Sequence, residues 1–123
     1  MKYLLMGESQ VSAVGLGTWQ FGEPGWGWGS ELDYETAIKI VHRALELGIN
    51  FFDTAELYAV PMKPETRGKT SQFIGEWFLK TKKRNKIILA DKVAGKSEMP
   101  WLRPNGENSC LGKKQIEFAI DRS

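Results

Sequence analysis

Short apolar runs divide the chain into candidate strands. Residues 3–6 and 11–14 are largely apolar and are separated by the turn sequence GESQ, which predicts a β-hairpin. VGLGT (14–18) then predicts a short strand that leads into a loop. INFF (49–52) and KIILADK (86–92) contain continuous apolar runs of strand length, a pattern typical of strands buried on both faces.

Two segments between these strands have the three- and four-residue spacing of helices that bury one face. The first begins near Ser30 or Asp33, since either side chain could cap it, and Gly48 ends it. The second begins at Thr70 or Ser71, which are also candidate caps. Both helices are therefore bounded by residues with known terminal preferences.

A third helix is predicted from Lys113, so the order of elements is hairpin, strand, helix, strand, helix, strand, helix. Strands that alternate with helices form parallel sheets through right-handed crossovers. The long loops, residues 54–68 and 95–112, follow strands, as expected when function lies at the carboxyl ends of the strands. Three parallel strands leave two open sheet edges, and we therefore expect residues 1–123 to be the beginning of a larger fold.

Composition restricts the class of protein. Seventeen basic and fifteen acidic residues leave a net charge of +2, which gives no electrostatic footprint for nucleic acid or for an anionic membrane. The basic run KTKKRNK (80–86) is interpreted as the solvated end of a helix. Cys110 is the only cysteine, which excludes an internal disulfide and a thiolate metal cluster. The sequence shows neither a signal-peptide core nor a membrane-spanning stretch, and a cytoplasmic location is expected.

A chemical site is predicted where two strands end. Asp53 follows a run of apolar residues, where a buried carboxylate is costly without a partner. Lys92 ends the next strand, and adjacent parallel strands lie about 4.8 Å apart, so the two side chains could form a buried ion pair. The Lys92 ammonium would then lie near Tyr58 and favour its phenolate, which suits a tyrosine to general acid catalysis.

Spacing alone leaves other interpretations open. Asp53 could cap the turn after its strand, Tyr58 could be a packing aromatic, and Lys92 could be solvated. Asp91, beside Lys92, is a rival partner for the ammonium group. GLGTWQFG (15–22) suggests a nucleotide-binding loop, but it lacks the third Gly and no helix begins there.

Five stretches together resemble the amino-terminal part of aldo-keto reductases, most closely the bacterial and potassium-channel-β-subunit-like branches. These stretches are GLGTWQFG, GINFFDTAELYAV, GKTSQFIGEWF, KIILADKV and KKQIEFAIDRS. The resemblance covers nearly the whole chain and gives Asp53, Tyr58 and Lys92 the positions of site residues of the family. It implies an α/β fold, the amino-terminal part of a (β/α)8 TIM barrel with about three βα units after a β-hairpin.

The resemblance also implies an activity. An NADPH-dependent oxidoreductase of this type passes hydride between the nicotinamide and an aldehyde or ketone. By this analogy Tyr58 donates the proton, Lys92 tunes Tyr58, and Asp53 holds Lys92. No metal is expected. The residues expected to bind the cofactor are Gly17, Thr18, Trp19 and Asp53.

Two departures from the family pattern reduce what this chain is expected to do. The catalytic histidine of the family ends a fourth strand that this sequence does not reach, and His42, the one histidine here, is interpreted as a surface or packing residue of the first helix. The main grip of the family on the cofactor phosphates also lies later in the barrel. Residues 1–123 are therefore expected to be a domain portion that ends within its third helix and has little or no reductase activity alone.

Other functions remain open at this point. The chain could be a non-catalytic interaction or assembly module that pairs with itself or with a missing carboxyl-terminal half, or a β-subunit-like NADPH-binding protein. A small carbonyl substrate is otherwise the expected partner, with neither nucleic acid nor membrane. GWGWGS (25–30) is interpreted as a flexible loop over the barrel mouth.

Overall fold

The computed structural model describes residues 1–22 and 32–123, and within them the predicted order of elements is confirmed. The strands are β1 (Tyr3–Met6), β2 (Ser9–Ser12), β3 (Gly15–Gly17), β4 (Phe51–Asp53) and β5 (Ile88–Ala90). The helices are α1 (Tyr34–Glu46), α2 (Lys69–Thr81) and α3 (Lys113–Arg122), with 3-10 turns at Arg84–Lys86 and Pro104–Gly106. The candidate cap Ser30 and the GWGWGS segment lie outside the described residues. No helix of the described ranges is long and apolar enough to cross a membrane.

Strands β3, β4 and β5 form a parallel sheet in that order. Leu16, Phe52 and Leu89 lie side by side across the three strands. Phe52 belongs to the core under the helices, and Leu16 and Leu89 pack against that core. Because side chains alternate along a strand, the next row faces away from the helices. That row consists of Gly17, Asp53 and Ala90. The strand register thus directs the Asp53 carboxylate to the face opposite the helices.

The core lies between this sheet and helices α1 and α2. Its buried residues are Phe21, Ala37, Val41, Ala44, Phe52, Trp77 and Ile87. Trp77 Nε1–H also donates a hydrogen bond to His42 Nε2 over 2.9 Å, so the indole joins α2 to α1 by more than packing. His42 is therefore a packing residue at the surface of α1, as the sequence predicted.

Capping chemistry sets both ends of α1. Asp33 precedes the helix, and its carboxylate accepts a hydrogen bond from Thr36 N at 2.8 Å. At the other end Gly48 adopts a left-handed conformation with φ +83°, which a residue with a side chain rarely accepts. The turn is closed by a hydrogen bond of 2.9 Å from Ile49 N to Ala44 O. The predicted stop at Gly48 is confirmed.

The predicted cap of α2 is wrong. Gly68 precedes this helix in a left-handed conformation and offers no side chain to cap it. Thr70 lies inside the helix, where its Oγ1 donates to the carbonyl oxygen of Phe21 at 2.9 Å. Ser71 lies inside the helix as well. The Thr70 hydroxyl bonds the Phe21 carbonyl oxygen and so attaches the segment after β3 to α2. Because its hydroxyl is used in this tertiary contact, Thr70 does not cap the helix.

The β1–β2 hairpin packs at the amino-terminal end of the parallel sheet. Asn50, just before β4, accepts from Ser12 N at 2.7 Å and donates through Nδ2 to Gln10 O at 2.9 Å. Tyr3 Oη donates to Gly48 O at 2.8 Å. The hairpin therefore lies at the end of the sheet opposite the carboxyl ends of the strands, where the resemblance puts the bottom of the barrel.

Candidate active site

Asp53 and Lys92 form an ion pair beyond the carboxyl ends of β4 and β5. Lys92 Nζ lies 2.7 Å from Asp53 Oδ1 and 2.6 Å from Asp53 Oδ2, and it donates to Thr54 O at 2.7 Å. These three acceptors match the three N–H donors of an ammonium group. The structure thus brings together the two side chains that the sequence paired.

The burial predicted for this pair is wrong. The side chains of Lys92 and Asp53 are 47% and 44% exposed. Both project from the face of the sheet that lies opposite the helices, and the described residues leave that face partly open to solvent. Water screens an ion pair in such a place, so its role is to fix a charge in position more than to stabilise the fold.

Tyr58 lies beside the ion pair. Lys92 Nζ is 4.9 Å from the centroid of the Tyr58 ring, within the range of a cation–π contact. A turn after β4, closed by a hydrogen bond of 3.0 Å from Tyr58 N to Ala55 O, brings the ring back over the strand ends. Asp53, Tyr58 and Lys92 are therefore adjacent in space.

The environment keeps Lys92 charged. Burial lowers the pKa of its ammonium group, but the hydrogen bonds and negative charge of Asp53, with contributions from Tyr58, outweigh burial and raise the pKa above its ordinary value of 10.5. Asp91, the rival partner, is bound elsewhere. Its Oδ1 accepts from the backbone nitrogen of Lys92 at 2.8 Å, and its Oδ2 accepts from the hydroxyl of Ser123.

Of the residues predicted to bind a cofactor, Gly17 ends β3 beside Asp53, and Thr18 and Trp19 follow it. Thr18 is buried, and its backbone nitrogen and its Oγ1 donate to the carbonyl oxygen of Asp53 at 3.1 and 2.8 Å. Trp19 O accepts from Val60 N at 2.9 Å, which joins the segments after β3 and β4. Among the described residues beyond its chain neighbours, a Cβ on Gly17 would meet nothing nearer than Trp19 Cδ1 at 3.9 Å. Gly17 is exposed among the described residues, and its backbone is not covered by them.

Two buried charged residues beside the site were not predicted. The side chains of Glu56 and Arg103 are 5% and 1% exposed and form a bidentate ion pair. Burial raises the pKa of Glu56, but hydrogen bonds from Arg103 and Ala94 and the charges of Arg103 and Arg67 outweigh it, so that the pKa lies below its ordinary value of 4.5. Glu56 falls within FFDTAELY, where a second carboxylate after the strand was a usable signal. Arg103 lies in an aperiodic loop and gave none.

Comparisons with known proteins fit this geometry. The sequence profile of the Aldo/keto reductase family matches residues 13–123. The chain belongs to the aldo/keto reductase family. This aldo/keto reductase chain is 39% identical to Protein tas of Escherichia coli K12 over 116 residues, which are 93% of the chain and 31% of that protein. It is 31% identical to the chloroplastic pyridoxal reductase of Arabidopsis thaliana over 122 residues, which are 91% of the chain and 32% of that protein.

A solved structure shows the same fold. A protein described as an aldo-keto reductase from Pseudomonas aeruginosa superposes with a TM-score of 0.63 at 22% identity, over 98% of this chain and 42% of that one. The hairpin, the parallel sheet and its helices therefore share the fold of part of that structure. The chain spans about a third of the length of the curated relatives it matches. Aldo/keto reductases generally use nicotinamide cofactors.

Proposed function

We propose that this chain carries the proton-donating site of an NADPH-dependent carbonyl reductase that converts an aldehyde or a ketone to an alcohol. The observation that carries the proposal is the position of the Lys92 ammonium, which is bound to both carboxylate oxygens of Asp53 and lies 4.9 Å from the Tyr58 ring. A fixed cation beside a phenol is an arrangement suited to proton transfer at neutral pH.

Each of the three residues has a distinct role in this reaction. NADPH, when bound, supplies the hydride that adds to the carbonyl carbon. The O–H bond of Tyr58 breaks as its proton moves to the carbonyl oxygen, which becomes the hydroxyl of the alcohol. The positive charge of Lys92 stabilises the phenolate that Tyr58 leaves behind, and Asp53 keeps that charge in place. Tyr58 is the group that contacts the substrate, while Lys92 and Asp53 act through it.

The strand ends suit the nicotinamide end of such a cofactor. The open backbone at Gly17 admits a flat ring next to the Asp53–Lys92 pair. Thr18 is fixed by its two hydrogen bonds to the Asp53 carbonyl, so it would hold the neighbouring backbone still for the ring. Trp19 follows directly and would line the same surface. These contacts support a nicotinamide site.

The rest of the site would come from further strands. We infer that residues 1–123 are the amino-terminal portion of a (β/α)8 barrel, and that additional strands pair with β3 and β5, each of which has one strand partner among the described residues. These strands would come from more of the same polypeptide, from a second polypeptide or from another copy of the chain. The length of the curated relatives supports the first of these sources.

A carbonyl substrate is supported by one relative. The name pyridoxal reductase denotes an enzyme that acts on an aldehyde, and that protein matches 91% of this chain. The family membership favours this function over a non-catalytic assembly module.

The test expresses the complete reading frame that contains this segment and follows NADPH absorbance with a series of aldehydes and ketones. Reduction by the wild type and its loss in Tyr58→Phe are expected. NADPH binding without turnover of any carbonyl would instead support the β-subunit-like function. Equal rates for the wild type and Tyr58→Phe would refute the role of Tyr58.

A further inference from the structure

Glu56 occupies a place where an unpaired charge would be costly. It lies three residues after Asp53, in the segment that follows β4, and its side chain is 5% exposed. The Arg103 side chain that meets it comes from the segment between β5 and α3 and is 1% exposed. A buried carboxylate and guanidinium keep their charges only when each satisfies the other with good geometry. The pair therefore joins two loops that follow neighbouring strands.

The hydrogen bonds of the Glu56 carboxylate are nearly complete. Arg103 donates through Nη1 to Oε1 and through Nη2 to Oε2, the latter at 3.1 Å, which is the bidentate geometry that guanidinium and carboxylate favour. Oε2 also accepts from Ala94 N at 2.9 Å, and Oε1 accepts from Arg67 Nη2 at 3.3 Å. Both oxygens therefore have two donors.

Glu56 binds the backbone at two places in the segment after β5, at Lys92 and at Ala94. Its backbone nitrogen donates to Lys92 O at 2.9 Å, and its carboxylate accepts from Ala94 N. The first bond continues the parallel ladder, which already has Thr54 N bound to Ala90 O at 2.8 Å. The second bond fixes the direction in which the chain departs. Lys92 is thus held at its backbone by Glu56 and at its ammonium group by Asp53.

Arg103 extends this connection to α3. Its Nε donates to Gln115 Oε1 at 3.0 Å, and the same oxygen accepts from Cys110 N at 2.9 Å. Gln115 lies in the first turn of α3. The segment between β5 and α3 is consequently anchored at its middle through Arg103 and at its end through Gln115.

We propose that Glu56 is a positioning residue for the carbonyl reduction. It acts through Arg103 and Ala94 to hold Lys92 beside Asp53 and Tyr58. This inference rests on the proposed function for its meaning, because positioning Lys92 matters only if Tyr58 donates a proton. The structural part of the inference can be tested without turnover: the Glu56 carboxylate keeps the Lys92 ammonium group bound to Asp53.

The test measures the pairing of Lys92 directly. The complete reading frame that contains residues 1–123 is treated with limiting acetic anhydride, and the acetylation of each lysine is quantified by peptide mass spectrometry in the wild type, Glu56→Gln and Asp53→Asn. Asp53→Asn removes the counterion and gives the full response. In Glu56→Gln we expect Lys92 to be acetylated faster, by about tenfold for each pKa unit it loses. Lys69, on α2, is the internal reference.

A matched control and a second variant keep the result decisive. Glu76→Gln breaks an exposed ion pair with Lys80 and should leave Lys92 unchanged. Unchanged Lys92 acetylation in Glu56→Gln would overturn the proposal, and so would an equal rise at Lys69, which indicates general loosening. If Glu56→Gln does not give a folded circular-dichroism spectrum, Glu56→Asp, whose shorter side chain draws the carboxylate back from Arg103 and Ala94, decides by the same criterion. No carbonyl is reduced in this assay, so its outcome is independent of the Tyr58→Phe result.

Discussion

Lys92 Nζ contacts both carboxylate oxygens of Asp53, a residue that lies 39 positions earlier in the chain. The two residues belong to neighbouring parallel strands, and the register of β4 and β5 sets their separation. A single ammonium group at that place acts on whatever lies beside it, and the neighbour is Tyr58.

Removal of the Tyr58 hydroxyl should affect turnover more than binding. In the complete reading frame, Tyr58→Phe is expected to lower kcat about 10²- to 10⁴-fold, the usual contribution of a positioned general acid, with little change in KM. Steady-state kinetics with NADPH and an aldehyde measure both constants. Tyr34→Phe is the matched control, because Tyr34 packs on Phe73 in α1 and α2, away from the strand ends. A loss of similar size in both variants would argue against the role of Tyr58.

The 123-residue chain alone should have little or no reductase activity. The family resemblance implies a cofactor grip on later strands, and among the described residues the proposed nicotinamide surface lies near Gly17, Thr18 and Trp19. Loss of NADPH absorbance with a simple aldehyde measures turnover, and the complete reading frame is the positive control. Turnover by the 123-residue chain at about 1 s⁻¹ or faster, the range of ordinary enzymes, would contradict this prediction.

The Asp53–Lys92 pair should stabilise the fold slightly and only below strongly alkaline pH. The pKa of Lys92 is raised above 10.5, so the stabilisation is fully present below pH 10.5 and is lost as the pH rises through the folded-state pKa. Lys92→Met should lower the free energy of unfolding by at most about 1 kcal/mol at pH 8, since both side chains are half exposed. Urea unfolding of wild type and variant at several pH values measures the difference. A difference that persists unchanged well above pH 10.5 would count against the pairing.

The buried Glu56–Arg103 pair should contribute far more to stability. Glu56→Gln leaves Arg103 charged and unpaired, and we expect a loss of about 3–5 kcal/mol in the free energy of unfolding at pH 7. The pKa of Glu56 lies below 4.5, so the contribution is present above pH 4.5 and is lost as the pH falls through the folded-state pKa. Urea unfolding at pH 7 and in acid tests both parts. Glu76→Gln, at an exposed pair, should cost less than about 1 kcal/mol.

The hydrogen bond between Trp77 on α2 and His42 on α1 should contribute measurably to the free energy of unfolding. Trp77 is 1% exposed, so His42→Leu leaves a buried indole N–H without its acceptor and should cost about 1–3 kcal/mol. His42→Gln offers a carbonyl oxygen to the indole and should cost less. Chemical unfolding gives the free energies, and the indole N–H resonance of Trp77 reports the bond. Equal losses for the two variants would show that the hydrogen bond contributes nothing.

The sequence predicted the elements well because local signals and the final packing agree. Strand β4 overlaps INFF and β5 lies within KIILADK, while Asp33 begins α1 and Gly48 follows its end as expected. Thr70 was assigned as a cap because its residue type favours caps. Its hydroxyl instead bonds the Phe21 carbonyl, a partner 49 residues away that no local pattern reveals.

The candidate site could be predicted as far as strand order determined it. Asp53 and Lys92 meet because consecutive strands are neighbours, which the alternation of strands and helices already implied. Their exposure depends on what covers the face of the sheet opposite the helices, and the local sequence does not reveal that. Glu56 and Arg103 meet through an irregular segment across 47 residues, so only the folded chain identifies Arg103 as the partner.

The position of Arg103 has a practical consequence for redesign. On the amino-terminal side of Arg103, Glu56 holds the backbone near Lys92. On its carboxyl-terminal side, the Pro104–Gly106 turn is exposed on the surface. A loop graft or a randomised library in this segment should therefore keep Arg103 and vary residues 104–108. A deletion that removes Arg103 would leave the buried Glu56 carboxylate without its guanidinium partner.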